Sequence, residues 1–256
     1  RGARRDPVDA GGAEPVGRIV VLVDEHHNRQ HQARDAAWGF FECKRDPGAA
    51  QALFAAAGEW AVTRGMNRLR GPLNPSLNYE AGLLVQGFDR PPTLGFTYNP
   101  PYYHELVTAA GMRKEKDLLA FRFTDAFVAP AWATEVASRV SAKEEIRIRR
   151  ADKRQLATEL RLINTIYNRC WAGNWGYVPM TEAEITEVCR EVIHFVEPDL
   201  ITFLYHRDEP IGVCLVLPDI NPVLKRLNGR GGVWALAFLH WYAREVTGLR
   251  GYILGV

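Results

Sequence analysis

Leu200-Ile201-Thr202-Phe203-Leu204-Tyr205-His206, then Arg207-Asp208-Glu209-Pro210, then Ile211-Gly212-Val213-Cys214-Leu215-Val216-Leu217 is the stretch on which the fold turns. Two β-branched and aromatic runs flank these four turn residues, the signature of a β-hairpin. Upstream, Thr181-Glu182-Ala183-Glu184 forms a capping box in which the Thr hydroxyl and the second Glu carboxylate each satisfy an orphan amide. The helix it opens is expected to bury Ile185, Val188, Cys189, Val192 and Phe195. Before it, Leu156, Leu160, Ile163, Tyr167 and Cys170 or Trp171 mark one stripe of a long helix, and Ile146 to Arg150 reads as a strand. Downstream of the hairpin come a helical insertion and a last strand, Leu249 to Val256. The order is strand, helix, helix, strand, strand, insertion, strand.

The preceding part of the chain has a different order. Gly17 to Asp24 is a β-branched strand, a polar loop follows, and Trp38 to Cys43 is a second strand. Asp46 and Pro47 supply the N-cap and first position of a helix whose inner face is Ala50, Leu53, Phe54, Ala57, Trp60 and Ala61. Gly65 ends it as a left-handed cap. Asn67 to Leu73 is expected as a strand, residues 74–100 as an irregular segment rich in Asn, Gly and Pro, and Pro100 to Gly111 as a short helix with Tyr103, Leu106, Val107 and Ala110 inward. Asp117 to Phe123 is expected to close this lobe as a strand. An irregular segment this long in a compact domain points to a binding role.

Composition bounds the function. With 256 residues, 47% hydrophobic and 24% charged, the chain is long enough for two ordinary globular domains. A formal charge of +2 with no basic face argues against nucleic acid. The densest basic run, Arg147, Arg149, Arg150, Lys153 and Arg154, is a solvated strand end or an anion site. The dispersed Cys43, Cys170, Cys189 and Cys214 lack metal-ligand spacing and read as reduced thiols in a cytoplasmic setting. His26, His27 and His31 lie in the polar loop without a carboxylate at ligand spacing, so no metal is expected. Val233 to Tyr242 is about half the ~20 residues a membrane span requires; it is a buried helix or one lying on a membrane surface. No signal peptide is evident, and residues 1–15 form a loose tail. The chain opens on Arg and closes in mid-strand, as if cut at both ends.

Several strings are more specific. Arg70-Gly71-Pro72-Leu73-Asn74-Pro75-Ser76-Leu77-Asn78 is followed by Gly82-Leu83-Leu84-Val85 and Gly87-Phe88-Asp89. Asn99-Pro100-Pro101-Tyr102-Tyr103, Asn174-Trp175-Gly176-Tyr177-Val178-Pro179-Met180-Thr181-Glu182 and Leu217-Pro218-Asp219-Ile220-Asn221 complete the set. Together they resemble a bacterial branch of the GNAT superfamily, the acyl-CoA N-acyltransferases, over nearly all of residues 17–256. Tyr79 and Ala81 depart from that pattern, where an acidic or polar residue and a cysteine would be expected, and residues 231–247 fit it loosely.

The resemblance implies an α/β fold of the α+β kind, a mixed sheet flanked by helices, in two related and incomplete lobes. The divisions are a tail at 1–15, a degenerate lobe at 16–124, a linker at 125–144 and a second lobe at 145–256. The second lobe resembles the GNAT opening half through its fourth strand, and the first resembles the later half. The implied activity is transfer of an acyl group from acyl-CoA or acetyl-CoA, or from an acyl carrier protein, to a small-molecule or lipid-like amine. The alternative is a non-catalytic binding or scaffold protein that kept the fold. A nucleotide hydrolase is disfavoured, because neither a G-x-x-x-x-G-K-[ST] loop nor a dense carboxylate box is present.

In this family a Q/R-x-x-G-x-G/A loop holds the CoA pyrophosphate on helix N-terminal amides. Arg45-Asp46-Pro47-Gly48-Ala49-Ala50 matches literally, but the Asp46 carboxylate would occupy the anion's place and Pro47 lacks an amide, so it reads as an ordinary capped helix. Leu254, Gly255 and Val256, in a strand resembling the one that pairs with the pantetheine arm, are the implied acyl-CoA contacts. Without the loop that should follow, the chain as given is expected to bind acyl-CoA weakly or not at all. Glu80 is the candidate base, or a loop-ordering surface carboxylate. Tyr102 and Tyr103 are candidates for proton transfer to the thiolate, or packing residues. Asn74, Ser76, Asn78, Asn99 and Asn174 are candidate pocket residues, with backbone hydrogen bonding in turns the alternative for the asparagines. Trp175 walls an acceptor site or caps the core.

Overall fold

The structure, a computed structural model, describes residues 14–143, 145–192, 197–228 and 246–256. It is a mixed α/β molecule with several sheets flanked by helices. The chain divides into two compact units, one reaching to Leu119 and one running from Ala120 to Val256.

The first unit runs β1 (Gly17–Leu22), α1 (Glu25–Gln30), β2 (Asp35–Cys43), α2 (Pro47–Val62), β3 (Arg68–Arg70), β4 (Leu73–Asn74), β5 (Glu80–Ala81) and α3 (Tyr103–Ala109). β2 is central, antiparallel to β1 and parallel to β3, while β4 and β5 form a separate two-stranded ribbon. Asp46 caps α2, its Oδ1 accepting from the Ala49 amide at 3.0 Å. Ala50, Phe54, Ala57 and Ala61 are the buried face of α2, with Leu53 and Trp60 half-buried beside it. Gly65 takes the expected left-handed conformation at φ 74°. The core gathers Trp38, Phe41, Phe54, Tyr103, Leu106 and Val107, with the Trp38 and Phe54 rings edge-to-face at 4.9 Å.

β2 bulges where the second ribbon meets it. Gly39 pairs with Val20 and Glu42 with Arg18, so β2 carries an extra residue there. Phe40 sits at φ 46°, and its amide donates to Asn74 Oδ1 at 2.7 Å. Glycine is required at the neighbouring position: a Cβ on Gly39 would lie 1.9 Å from the Leu73 carbonyl oxygen.

Three local expectations fail here. The polar loop after β1 contains α1, because Asp24 Oδ1 caps it by accepting from the His27 amide at 3.0 Å. The expected strand at 67–73 is two short strands interrupted at Gly71-Pro72. Residues 117–123 form no strand; Leu119, Phe121 and Phe123 are exposed, and a strand-like composition without a pairing neighbour does not make a strand.

The second unit runs α4 (Ala131–Lys143), β6 (Ile146–Arg150), α5 (Leu156–Trp171), α6 (Glu182–Val192), β7 (Ile201–His206), β8 (Glu209–Pro218), α7 (Asn221–Leu227) and β9 (Leu249–Gly255). Its sheet is antiparallel throughout, in the order β6-β7-β8-β9. The capping box forms as expected: Thr181 N donates to Glu184 Oε2 at 2.8 Å and Glu184 N to Thr181 Oγ1 at 3.2 Å. Ile201, Phe203, Val213 and Leu215 are buried on one sheet face, and Leu160, Ile163 and Ile166 are buried on α5, which packs on the sheet. Ile185 of α6 is buried; the side chains of Val188, Cys189 and Val192, and the whole of Phe195 and of 233–242, lie outside the described residues, as do residues 1–13 of the tail. Cys43, Cys170 and Cys214 are free thiols.

Candidate functional site

Among the described residues β9 is the outer strand of the second sheet, and its pairing with β8 is broken once. Ile253 pairs with Leu215 and Gly251 with Val216, so Tyr252 is an extra residue in β9. Alternation from the buried Val213 and Leu215 turns Gly255 and Ile253 toward α5. The indole of Trp171 fills the place of a side chain at Gly255, since a Cβ there would lie 2.0 Å from Trp171 Cζ3. Tyr167 stacks on Trp171 at 4.8 Å, and Tyr177 lies 5.9 Å from Tyr167. Burial pushes the Tyr167 phenol up to about 12, helped by the phenols of Tyr177 and Tyr252. Leu254 and Val256 are 72% and 78% exposed, so the strand end meets an aromatic wall on one face and solvent on the other.

After α5 the chain turns tightly: the Asn174 amide donates to the Trp171 carbonyl at 2.8 Å, and its own carbonyl accepts from Tyr177 N at 3.2 Å. Trp175 stands at this turn, partly exposed.

The remaining candidates belong to the first unit. Glu80 is exposed on β5, opposite Asn74. Asn74 holds the β2 bulge, and Ser76 Oγ accepts from the Asn78 amide at 3.2 Å. Asn99 is buried and clamps two strands of loop: Oδ1 accepts from Leu84 N at 2.7 Å, and Nδ2 donates to the Leu84 and Pro100 carbonyls at 3.2 and 3.0 Å. Tyr102 donates to the Cys43 carbonyl at 3.0 Å. Tyr103 donates to Glu42 Oε2 at 2.6 Å and accepts from Cys43 N at 3.1 Å. Burial, reinforced by Glu42, pushes its phenol up to about 12.

Two buried ionic clusters went unread in the sequence. In the first unit Asp35, 5% exposed, accepts from Arg68 Nε and Nη2 at 2.8 and 2.6 Å and lies 3.2 Å from His27 Nε2. The same His27 nitrogen is 3.2 Å from Arg70 Nη1, and Glu115 stands 3.5 Å from Arg70 Nε. Asp35 is held below the usual carboxylate range by Arg68 and His27, which together outweigh its desolvation; burial holds His27 below its ordinary value. In the second unit Arg149 makes a two-pronged pair with buried Glu159, at 2.8 and 2.9 Å, and Nη2 also donates to Tyr205 Oη at 2.9 Å. The Glu159 bond pushes the guanidinium further above its ordinary value. Arg150 and Lys153 pair with Asp199 and Glu197, and Arg147 lies over the Tyr205 ring, so most of the basic run has partners. No local spacing announces these contacts, because Asp35 and Arg68 are 33 residues apart.

Among the described residues no three His, Cys, Asp or Glu side chains are grouped to hold a metal ion, and no helix is long and apolar enough to cross a membrane.

No protein-family model matches the sequence. The chain is similar to Protein YghO of Escherichia coli (strain K12), 31% identical over 237 residues that make up 92% of this chain and 60% of that protein. It is also similar to the bacterial ceramide synthase of Caulobacter vibrioides, 31% identical over 231 residues, 90% of this chain and 60% of that protein. The chain thus spans about three fifths of the length of these curated relatives.

Proposed function

We propose that this chain is part of an N-acyltransferase of GNAT type that transfers an acyl group from acyl-CoA, or from an acyl carrier protein, to a lipid-like amine. The observation that carries the reading is the 31% identity, over 231 residues and so across both units, to a protein named a ceramide synthase. A ceramide is the amide of a fatty acid with a long-chain amino alcohol, so its synthesis is acylation of a lipid amine.

The place of β9 supports this reading: among the described residues it is the last strand of its sheet. An outer strand offers unpaired N–H and C=O groups to an extended ligand, and the pantetheine arm carries two amides able to take that place. The bulge at Tyr252 turns backbone groups out of the ladder, where an amide can polarise a thioester carbonyl. In the reaction the amine nitrogen bonds to the thioester carbon, the C–S bond breaks, the thiolate takes a proton, and the amine gives one up. Glu80 enters as the candidate base, with a solvent-facing carboxylate. The phenols of Tyr102 and Tyr103 are committed to Cys43 and Glu42, which favours packing roles for both. Asn74 and Asn99 are likewise spent on the fold, which favours structural roles for both.

The test is calorimetric titration of the full-length gene product with acetyl-CoA and palmitoyl-CoA, in the native protein and in Gly255→Val. The reading expects micromolar binding by the native protein that is lost when the substitution drives a side chain into Trp171 and displaces the end of β9. Absence of binding by the native protein would sink it.

A further inference from the structure

His27 Nε2 is claimed by two neighbours that want opposite things. Asp35 Oδ2 at 3.2 Å can only accept, and Arg70 Nη1 at 3.2 Å can only donate. A neutral imidazole can satisfy one of them at Nε2. If its lone pair accepts from Arg70, it faces the Asp35 carboxylate; if it carries the proton, it faces the Arg70 N–H. A protonated ring resolves the conflict in one direction, donating to Asp35 and repelling Arg70. Arg70 has somewhere to go: Glu115 Oε2 lies 3.5 Å from its Nε, on the surface side.

The charged and titratable groups around the ring come from every neighbouring element. Asp24 and His31 cap α1 on either side of it, with the His31 ring centroid 4.6 Å away. Asp35 faces it from β2, Arg68 and Arg70 from β3, and Glu115 approaches from the segment after α3. Arg68 holds Asp35 by two bonds, at 2.8 and 2.6 Å, so the partner of His27 left to move is Arg70.

Arg70 is also the last residue before the segment that lies along the β2 backbone. A Cβ on Gly71 would be 2.2 Å from the Trp38 carbonyl oxygen. Leu73 presses against Gly39, Asn74 holds the Phe40 amide, and Gly82 N donates to the Pro72 carbonyl at 2.9 Å. The anchor of Arg70 and the seating of residues 71–82 are therefore physically continuous.

We propose that His27 is a proton-operated latch: protonation transfers Arg70 from His27 toward Glu115 and loosens the segment 71–82 from β2. The burial that disfavours the charged ring places this transition on the acid side of an ordinary histidine. The proposal concerns the order of one segment and stands apart from the acyl-transfer reading.

Its test is hydrogen exchange of residues 71–82 in the full chain from about pH 7.5 to pH 5, corrected for intrinsic rates, beside NMR titration of the His27 ring. The latch predicts an increase in exchange of about tenfold that tracks the His27 titration. His27→Gln, which offers a donor and an acceptor at every pH, should remove the step. Glu115→Gln, which withdraws the alternative seat of Arg70, should move the step to lower pH. A step that persists in His27→Gln, a His27 titration with no change in exchange, or an unmoved midpoint in Glu115→Gln overturns the proposal.

Discussion

Replacing Arg149 by Met would isolate the ionic pair that ties β6 to α5. Glu159 is 7% exposed and Arg149 29%, so removing the guanidinium strands a carboxylate that is almost out of water. Breaking a buried pair from one side costs about 3–5 kcal/mol. Two features reduce that here: Glu159 Oε1 keeps the Asp152 amide at 3.1 Å, and the Arg149 side is partly hydrated. The expected loss is about 2–3 kcal/mol at pH 7. An unpaired buried carboxylate has its affinity for protons raised, so the deficit should shrink as pH falls through the carboxylate range. Replacing both partners, Arg149→Met with Glu159→Met, removes the stranded charge and should cost less than either single change. Because the chain has two units, the assay is hydrogen exchange of the β6 and β7 amides, not a global melting curve. A single-variant loss below about 0.5 kcal/mol, or a double variant equal to the sum of the singles, would refute the reasoning.

Gly255→Ala should cost about 1–3 kcal/mol by driving a methyl into Trp171, whereas Gly251→Ala, with open space at its Cβ, should cost clearly less; hydrogen exchange of the β8 and β9 amides compares them. Asn74→Ala leaves the exposed Phe40 amide to water and should cost about 0.5–1 kcal/mol, seen as faster exchange of that one amide. Tyr103→Phe bears on alkaline stability. Its folded-state phenol is raised to about 12, above the ordinary 10, so its contribution is whole below pH 10 and is lost as pH rises toward 12. Urea midpoints from about pH 9 to 12 should therefore fall less steeply in Tyr103→Phe than in the native protein.

Elements with a local cause were legible in the sequence. Asp46-Pro47 opens α2, Thr181 and Glu184 cap α6, and Arg207 turns the β7–β8 hairpin at φ 55°, each decided within a few residues. The strand at 249–255 was legible in the same way, but its bulge at Tyr252 was not, because a bulge depends on the partner strand. The expected strand at 117–123 failed for a related reason: Phe121 and Phe123 have strand propensity, and pairing decides. Side-chain roles were harder still. The motif marks Asn74, Asn99 and Tyr103 without saying whether their polar atoms face a ligand or the chain's own backbone; in the structure all three bond within the fold. His27, Asp35, Arg68, Arg70 and Glu115 look like scattered surface charge until α1, β2 and β3 bring them together.

The measurement that bears most directly on the central claim is product formation by the full-length protein. It would be incubated with palmitoyl-CoA and a long-chain amino alcohol, with released thiol followed colorimetrically and the lipid amide by mass spectrometry. The account predicts one amide formed per thiol released, and loss of both in Gly255→Val. Thioester bound without amide, or no thiol released with any amine tested, would contradict it.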